Sequence, residues 1–352
     1  MTKFWRIYKR FIIISLIIIV LILSVLWLFL DSYEKSQPFY KAEYVVNKLK
    51  TGKAKKIVEK LDVTNKELNT NEKIAKILNN KYENQKITYE KKTGYFTKET
   101  PVYNIILNDK IIGTLYLEKN NQKNLFGLNN WSIQKIEGLL PIPKTINIIA
   151  KKEFLVYVEN NELTNKDIIN SNYETEEIKE LKKYTNLDSI VSYEVKGIYE
   201  EPSIYGQISG KKYTAIMDNE QNLYKIGFDE DRNLFAEQKE YLDTIIKDYT
   251  KYIINEHSFN NIKEYLINGS ETYKILQGIS RTNIWLKNHT PATFDTIDFL
   301  NMQVYSSDAY SIEAKYIYKY RANGENKEFE TNLTLYMVKK DNKWLVAYLK
   351  TN

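Results

Sequence analysis

Two histidines and no cysteine are the whole stock of conventional nucleophile–base chemistry in this chain of 352 residues. Without a thiol, disulfides, thiolate nucleophiles, thiolate metal sites and a lipidated cysteine are excluded. His257 precedes Ser258 at a predicted helix end, where capping accounts for it. His289 lies in the loop Lys287-Asn288-His289-Thr290-Pro291 and is read as solvated. With only these two, a nucleophile–base pair is hard to build. Glu174 with Glu176 and Glu177, and Asp229-Glu230-Asp231, would attract a cation. Neither has the D-x-D-x-D-G spacing that gathers oxygens around Ca²⁺, so both are read as solvated boundary segments. The sequence has no Gly-rich phosphate loop and no HExxH motif. The stripe Tyr316, Tyr318, Tyr320 reads first as core or sheet surface. No catalytic residue, no cofactor and no metal site is expected.

The formal charge of +6 is local rather than spread: Lys3, Arg6, Lys9 and Arg10 account for four of the six. What remains is too little for a phosphate-binding surface, which argues against nucleic acid as a partner. Those four charges precede Phe11–Leu30, twenty residues whose apolar run is broken only by Ser15 and Ser24. At 1.5 Å per residue such a helix is about 30 Å long, the thickness of a hydrocarbon core. Trp5, Trp27 and Tyr33 fall near its ends, where amphipathic rings favour the interface, and Asp31 and Glu34 follow it. A cleaved signal peptide needs small residues at its exit, but the exit here is Trp27-Leu28-Phe29-Leu30-Asp31. The expectation is an uncleaved anchor in the cell membrane. Residues 1–10 form a cytoplasmic basic tail, residues 11–30 cross the bilayer, and residues 31–352 lie outside.

The elements expected beyond the anchor occur in one order twice. In 31–140, Phe39, Ala42, Val45, Val46 and Leu49 have helical spacing, and Gly52 is a plausible stop. A second helix is expected over Ala54–Leu61. A third, opened by a Thr64/Glu67 capping box, runs through Ile74, Ile77 and Leu78. The period then shortens to strands at Ile87–Lys92, Val102–Leu107, Ile111–Leu117 and Trp131–Ile136. In 233–352 a long helix carries Leu242, Ile245, Ile246, Tyr249 and Ile253. A short helix follows over Asn261–Leu266, and a third is expected from an N-cap at Ser270 to about Lys287. Tyr310, Ile312, Ala314, Tyr316, Tyr318 and Tyr320 then alternate as in a half-buried strand, with turn signals at Asn323-Gly324 and Asp341-Asn342. Trp344–Leu349 closes the chain. Tyr44-Val45-Val46-Asn47 parallels Tyr252-Ile253-Ile254-Asn255, and both units end in a strand opened by Trp131 or Trp344, the candidate core anchors.

Between them, Pro141-Ile142-Pro143 reads as a boundary, and 141–232 as a small, mostly β spacer. Its first elements are expected to be a hairpin of Thr145–Ala150 with Phe154–Glu159, followed by a cap at Thr164-Asn165-Lys166-Asp167.

Helices first, then a curved antiparallel sheet ending in a Trp-led strand, resembles the nuclear-transport-factor-2-like cone over about 38–140 and 233–352. The resemblance rests on that order and on stretches such as Tyr265–Ser270 and Lys343–Val346. It implies an α+β fold with an N-terminal transmembrane helix and two cones flanking the β segment, each cone enclosing a hollow. Some cones are isomerases that use a pocket carboxylate with a tyrosine donor, but no such pair is identifiable here. A basic tail, one membrane helix and two cones also resembles the TcpC family of conjugative transposon transfer proteins, from which this chain departs by the insert 141–232.

The expected function is therefore a non-enzymatic, membrane-anchored extracytoplasmic binding or scaffold protein of a bacterial envelope, in a conjugation or secretion assembly. Its partners would be the lipid bilayer and other envelope proteins or cell-wall material, with self-association left open. Two rivals come from other classes. One is an envelope-stress or antibiotic-response sensor, which the ten-residue tail disfavours, and the other is a cone-pocket enzyme.

Overall fold

The computed structural model describes residues 2–219, 222–279 and 288–351. It is a mixed α+β structure of two compact units, Met1–Lys144 with Lys196–Glu201, and Thr145–Val195 with Pro202–Asn352.

In the first unit, α1 (Thr2–Lys35) is followed after two residues by α2 (Pro38–Lys50). Pro38 suits the first helical turn, where its missing N–H has no partner to lose. Ala42, Val45, Val46 and Leu49 form one buried stripe. The helix stops at Thr51, with Gly52 at φ +64°. The expected helix over 54–61 is instead two 3₁₀ turns, Ala54–Lys56 and Val58–Lys60. Three residues per turn bring Ala54 and Ile57 onto one buried face. The chain then leaves extended, so that Leu61 forms a parallel bridge to Ile136.

The Thr64/Glu67 capping box does not form. The helix α3 (Asn71–Tyr82) begins later and is capped by Thr70, whose side chain accepts from the Lys73 amide at 3.3 Å. Thr64 spends its hydroxyl on Tyr199 at 3.2 Å, and the Asn69 amide donates to the carbonyls of Thr64 and Gly197 at 2.8 and 2.7 Å. A long-range contact has outbid the local cap. Strands β1 (Ile87–Lys91), β2 (Val102–Leu107), β3 (Lys110–Lys123) and β4 (Asn129–Glu137) form an antiparallel sheet in that order. Asn108 and Asp109, at φ +49° and +62°, make the two-residue turn between β2 and β3. Trp131 is buried, and its indole N–H donates to the Ser36 carbonyl at 2.9 Å.

The second unit opens with β5 (Lys144–Lys151), β6 (Leu155–Val158), β7 (Asn161–Glu162), β8 (Ile168–Asn170), α4 (Glu176–Lys182) and β9 (Ile190–Ile198). It continues through β10 (Ile204–Ile208), β11 (Lys211–Thr214), β12 (Ile216–Asp218) and β13 (Leu223–Ile226). The hairpin expected from the first two strands does not form. β5 joins the sheet β12-β13-β5-β9-β8, whereas β6 joins β11-β10-β6-β7. Phe154, at the corner between them, turns inward. Two glycines make room for it: a Cβ on Gly206 would lie 2.8 Å from the ring, and one on Gly227 2.6 Å from it. The Thr164/Asp167 capping box does form, around a single 3₁₀ turn.

The C-terminal part runs α5 (Arg232–Ile253), α6 (Phe259–Ile262), a 3₁₀ turn Lys263–Tyr265 and α7 (Glu271–Ile279). Ser270 caps α7 by accepting from the Tyr273 amide at 3.0 Å. The rest of the helix expected to reach Lys287 lies outside the described residues. Then come β14 (Thr293–Phe294), β15 (Asp298–Ser306), β16 (Ala309–Ala322), β17 (Glu325–Lys340) and β18 (Lys343–Thr351), antiparallel throughout. Both turn signals hold: Asn323 and Gly324 sit at φ +54° and +83°, and Asp341 and Asn342 at +50° and +60°.

Alternation gives this sheet two apolar faces. Leu333, Leu335, Met337, Trp344 and Val346 pack with Leu242, Ile245 and Ile246 of α5. Tyr336, Val338 and Ala347 pack with Ile149, Ile178, Leu181, Leu223 and Phe228. A parallel bridge from Leu266 to Val346 repeats the Leu61–Ile136 device of the first unit, again just after a 3₁₀ turn.

Trp344 meets Tyr310 edge-on at 4.7 Å. The Tyr310 hydroxyl is buried without a hydrogen-bond partner among the described residues. Removing an unpartnered buried hydroxyl forfeits no bond. Tyr310→Phe is therefore expected to leave the denaturation midpoint of the full chain in detergent unchanged or raised. Trp344→Ala should lower stability by roughly 3–5 kcal/mol. Trp131→Phe strands the buried Ser36 carbonyl and should cost about 1–3 kcal/mol. A loss on Tyr310→Phe as large as that on Trp131→Phe would contradict this assignment.

Candidate functional site

Phe11–Lys35 is long and apolar enough to cross a membrane, and none of its most apolar window is buried. Ile12 to Leu23 are exposed on every face apart from half-covered Ser15, and Trp27 is 66% exposed at the far end. A helix that buries its apolar surface against nothing in its own chain needs another apolar solvent. Trp5 stacks on Tyr8 at 6.0 Å near the other end, and Lys9 is exposed. The side chains of Lys3, Arg6 and Arg10 lie outside the described residues.

In the first unit, Tyr33, Phe39, Phe96, Tyr103, Leu128 and Trp131 wall a cavity of about 410 Å³ where α1 gives way to α2, and Lys91 and Lys98 stand at its edge. Burial pushes the Tyr103 phenol up to about 12, so it is a neutral donor at any physiological pH. The cavity pairs aromatic walls with ammonium groups, which suits an amphipathic ligand with an anionic or polar end.

The second unit holds a polar cavity of about 340 Å³ between α4, β12–β13 and the sheet of β15–β18. The Lys225 ammonium is 2.7 Å from Asp218 and donates to Gln303 at 3.2 Å. The Lys350 ammonium is 3.2 Å from Glu177. Glu313 accepts from Asn301 at 2.6 Å and from Asn332 at 2.5 Å. Tyr305 shares a hydrogen bond with Ser311 at 3.3 Å, and burial pushes its phenol up to about 12. Burial alone raises the Glu177 carboxyl. Its own backbone amide, the Thr175 hydroxyl and Lys350 together outweigh that and hold it below the usual carboxylate range. The chemistry on offer is charge pairing and hydrogen bonding to a polar ligand, with the acid already ionised.

The sequence missed this site because its parts look unremarkable alone. Of the cluster Glu174, Glu176, Glu177, the last two open α4, an unexpected helix capped by Thr175 and pinned inward by Ile178 and Leu181, and Glu174 precedes the cap. Acids there complement the helix dipole. Asp231 likewise caps α5, accepting from the Asn233 and Leu234 amides, both at 3.0 Å.

His289 is not solvated. Its side chain is only 6% exposed, with Nε2 2.7 Å from the Ile254 carbonyl and Nδ1 2.9 Å from that of Thr290. The loop folds back because Thr290 pairs with Arg321 and His289 bridges Ala322, which lays the imidazole against Tyr320 at 4.9 Å. The His257 backbone amide does serve the end of α5, donating to the Lys251 carbonyl at 3.1 Å, but its side chain caps nothing among the described residues. Ser258 and Asn261 form the box, while His257 faces Asp248 at 3.4 Å. Tyr316 bonds Thr250 at 2.7 Å, and Tyr318 and Tyr320 stack with Phe329 at 5.3 and 5.6 Å.

The Glu177 interaction is testable through pH. A carboxyl with a lowered folded-state value stabilises above its unfolded value, near 4.5, and loses that contribution as pH falls through the folded one. Glu177→Gln should melt below the native chain at pH 7, and the gap should close on acidification from pH 5 to pH 3. A gap that stays constant with pH would show that the carboxylate charge is not what matters.

No protein-family model matches the chain, and no curated protein does. Among solved structures, one described as an "Ntf2 like protein involved in plasmid conjugation" is similar at 10% identity, covering 82% of this chain and 84% of that one with a TM-score of 0.23.

Proposed function

We propose that this chain is a non-enzymatic, single-pass protein of a bacterial envelope, with its basic tail in the cytoplasm and residues 31–352 outside, where they bind other components of an assembly. The observation that carries this reading is α1, none of whose most apolar window is buried among the described residues, with Phe29 near its end resting on Phe126. The charges that precede it favour a cytoplasmic N-terminus.

The two-cone arrangement is part of the proposal. It is supported by helices preceding a four-stranded antiparallel sheet in residues 38–137, by a similar order in residues 232–351, and by the paired bridges Leu61–Ile136 and Leu266–Val346. The resemblance of this plan to conjugative transfer proteins favours a transfer or secretion assembly. A binding role is supported by the polar cavity, where Lys225 pairs with Asp218 and Lys350 with Glu177.

Deleting the gene from its host should sharply lower conjugative transfer or secretion, and the full chain should restore it. A chain carrying Leu16→Lys, Ile19→Lys and Leu23→Lys should fail to restore it, since each central lysine costs about 2.5–3.5 kcal/mol of membrane insertion. Unchanged transfer and secretion after deletion would remove the assembly reading. Full restoration by the triple variant would remove the anchor as a requirement.

A further inference from the structure

The turn joining β3 to β4 presents apolar side chains in an arrangement that the fold of the first unit does not need. Leu125 is 101% exposed and Phe126 is 39% exposed. An isolated exposed leucine is ordinary. This one sits on a stiffened turn. The Asn124 side-chain oxygen accepts from the amides of Phe126 and Leu128 at 3.0 and 2.9 Å, and the Asn124 amide and Leu128 carbonyl close the loop at 3.0 Å. Gly127, at φ +73°, supplies the reversal that a residue with a Cβ would resist.

The turn is also tied to one place on α1. The Phe126 ring meets Phe29 edge-on at 5.4 Å, and the Asn124 side-chain Nδ2 donates to the Ser32 hydroxyl at 2.6 Å. One strand further on, the Trp131 indole holds the Ser36 carbonyl. Phe29 belongs to the apolar run Phe11–Leu30, and Asp31 follows immediately. Phe126 therefore lies level with the last apolar turn of the membrane helix, and Leu125 projects beside it into open space.

We infer that the tip of the β3–β4 hairpin is a second membrane contact, seated at the headgroup–acyl boundary of the leaflet where α1 emerges. This rests on the reading of α1 as a membrane anchor. Lipid is the occupant because the patch continues the surface of a lipid-facing helix at the same depth. Removing a fully exposed leucine from water is favourable, and a preformed turn gives back little of that gain in ordering. Together with the contacts from Phe29, Ser32 and Ser36, this second point sets the tilt and rotation of the first unit against the bilayer.

The cysteine-free chain suits single-site labelling. The full protein, with Leu125→Cys, Leu23→Cys or Ile142→Cys carrying an environment-sensitive nitrobenzoxadiazole dye, would be reconstituted in phosphatidylcholine–phosphatidylglycerol vesicles. Quenching would be read with lipids brominated near the headgroup or near the chain end, and with aqueous iodide. Leu23 should respond to deeply brominated lipid and Ile142 to iodide alone. Leu125 should lose about half its emission to shallowly brominated lipid and little to iodide. Leu125 behaving like Ile142 while Leu23 is lipid-quenched would overturn the hairpin contact and leave the anchor intact. Shielding of Leu125 from iodide without lipid quenching would mean that a second protein copy covers it, which also overturns the inference. A Leu23 label reached by iodide but not by brominated lipid would instead remove the anchor itself.

Discussion

Eighteen apolar residues within the twenty of Phe11–Leu30, exposed along almost the whole run apart from the contact of Phe29 with Phe126, set the terms for everything else in this protein. In α1 the backbone hydrogen bonds are satisfied within the helix, so transfer to lipid leaves only the side chains to be solvated. Those side chains prefer hydrocarbon on every face. The same helix is not a loose tether. Its last turns are held through Phe29, Ser32 and Ser36 by Phe126, Asn124 and Trp131, so the segment long and apolar enough to cross a membrane continues as part of a packed core. The end of α1 and the sheet of the first unit are packed together, so on the proposed reading a tilt of α1 in a bilayer would be transmitted to the sheet.

The second unit is organised by a sheet buried on both faces. In β17, one set of alternate residues faces α5 and the other faces the β segment that precedes it in the chain. From Leu333 to Val338 the strand has little solvent face to spend on polar residues, whereas residues 325–330 are exposed. Polar groups gather in the cavity of Glu177, Asp218, Lys225, Gln303 and Lys350. The paired cations and acids there follow from bringing charged residues of α4, β12, β13 and β18 into a confined space, where each charge needs a partner.

Much of this could be read from residue order, and the reasons for the failures are specific. Strict alternation from Tyr310 to Tyr320 and the pairs Asn323-Gly324 and Asp341-Asn342 report local backbone geometry, and the structure follows them closely. The long apolar helix over Phe11–Leu30 was legible for the same reason, since its composition lies within one continuous stretch. β15 escaped notice because bulges between Leu300 and Gln303 and between Val304 and Ser306 break its period. The β5–β6 hairpin was wrong because pairing depends on where Phe154 can be housed, and Gly206 and Gly227, far along the chain, decide that. Thr64 had the local pattern of a cap and a distant partner in Tyr199. His289 looked like loop and became core through pairing with β16. The polar cavity was illegible as a site, since its residues come from several separate stretches and none carries a motif.

The central claim is that α1 spans a bilayer with its basic end inside and the rest of the chain outside. Its most direct measurement is protease digestion of intact, wall-stripped cells carrying the protein with a different epitope at each end. The account predicts that the C-terminal epitope is lost at the rate seen in detergent-opened cells, while the N-terminal epitope survives until detergent is added. Survival of the C-terminal epitope in intact cells, with prompt loss once they are opened, would contradict it.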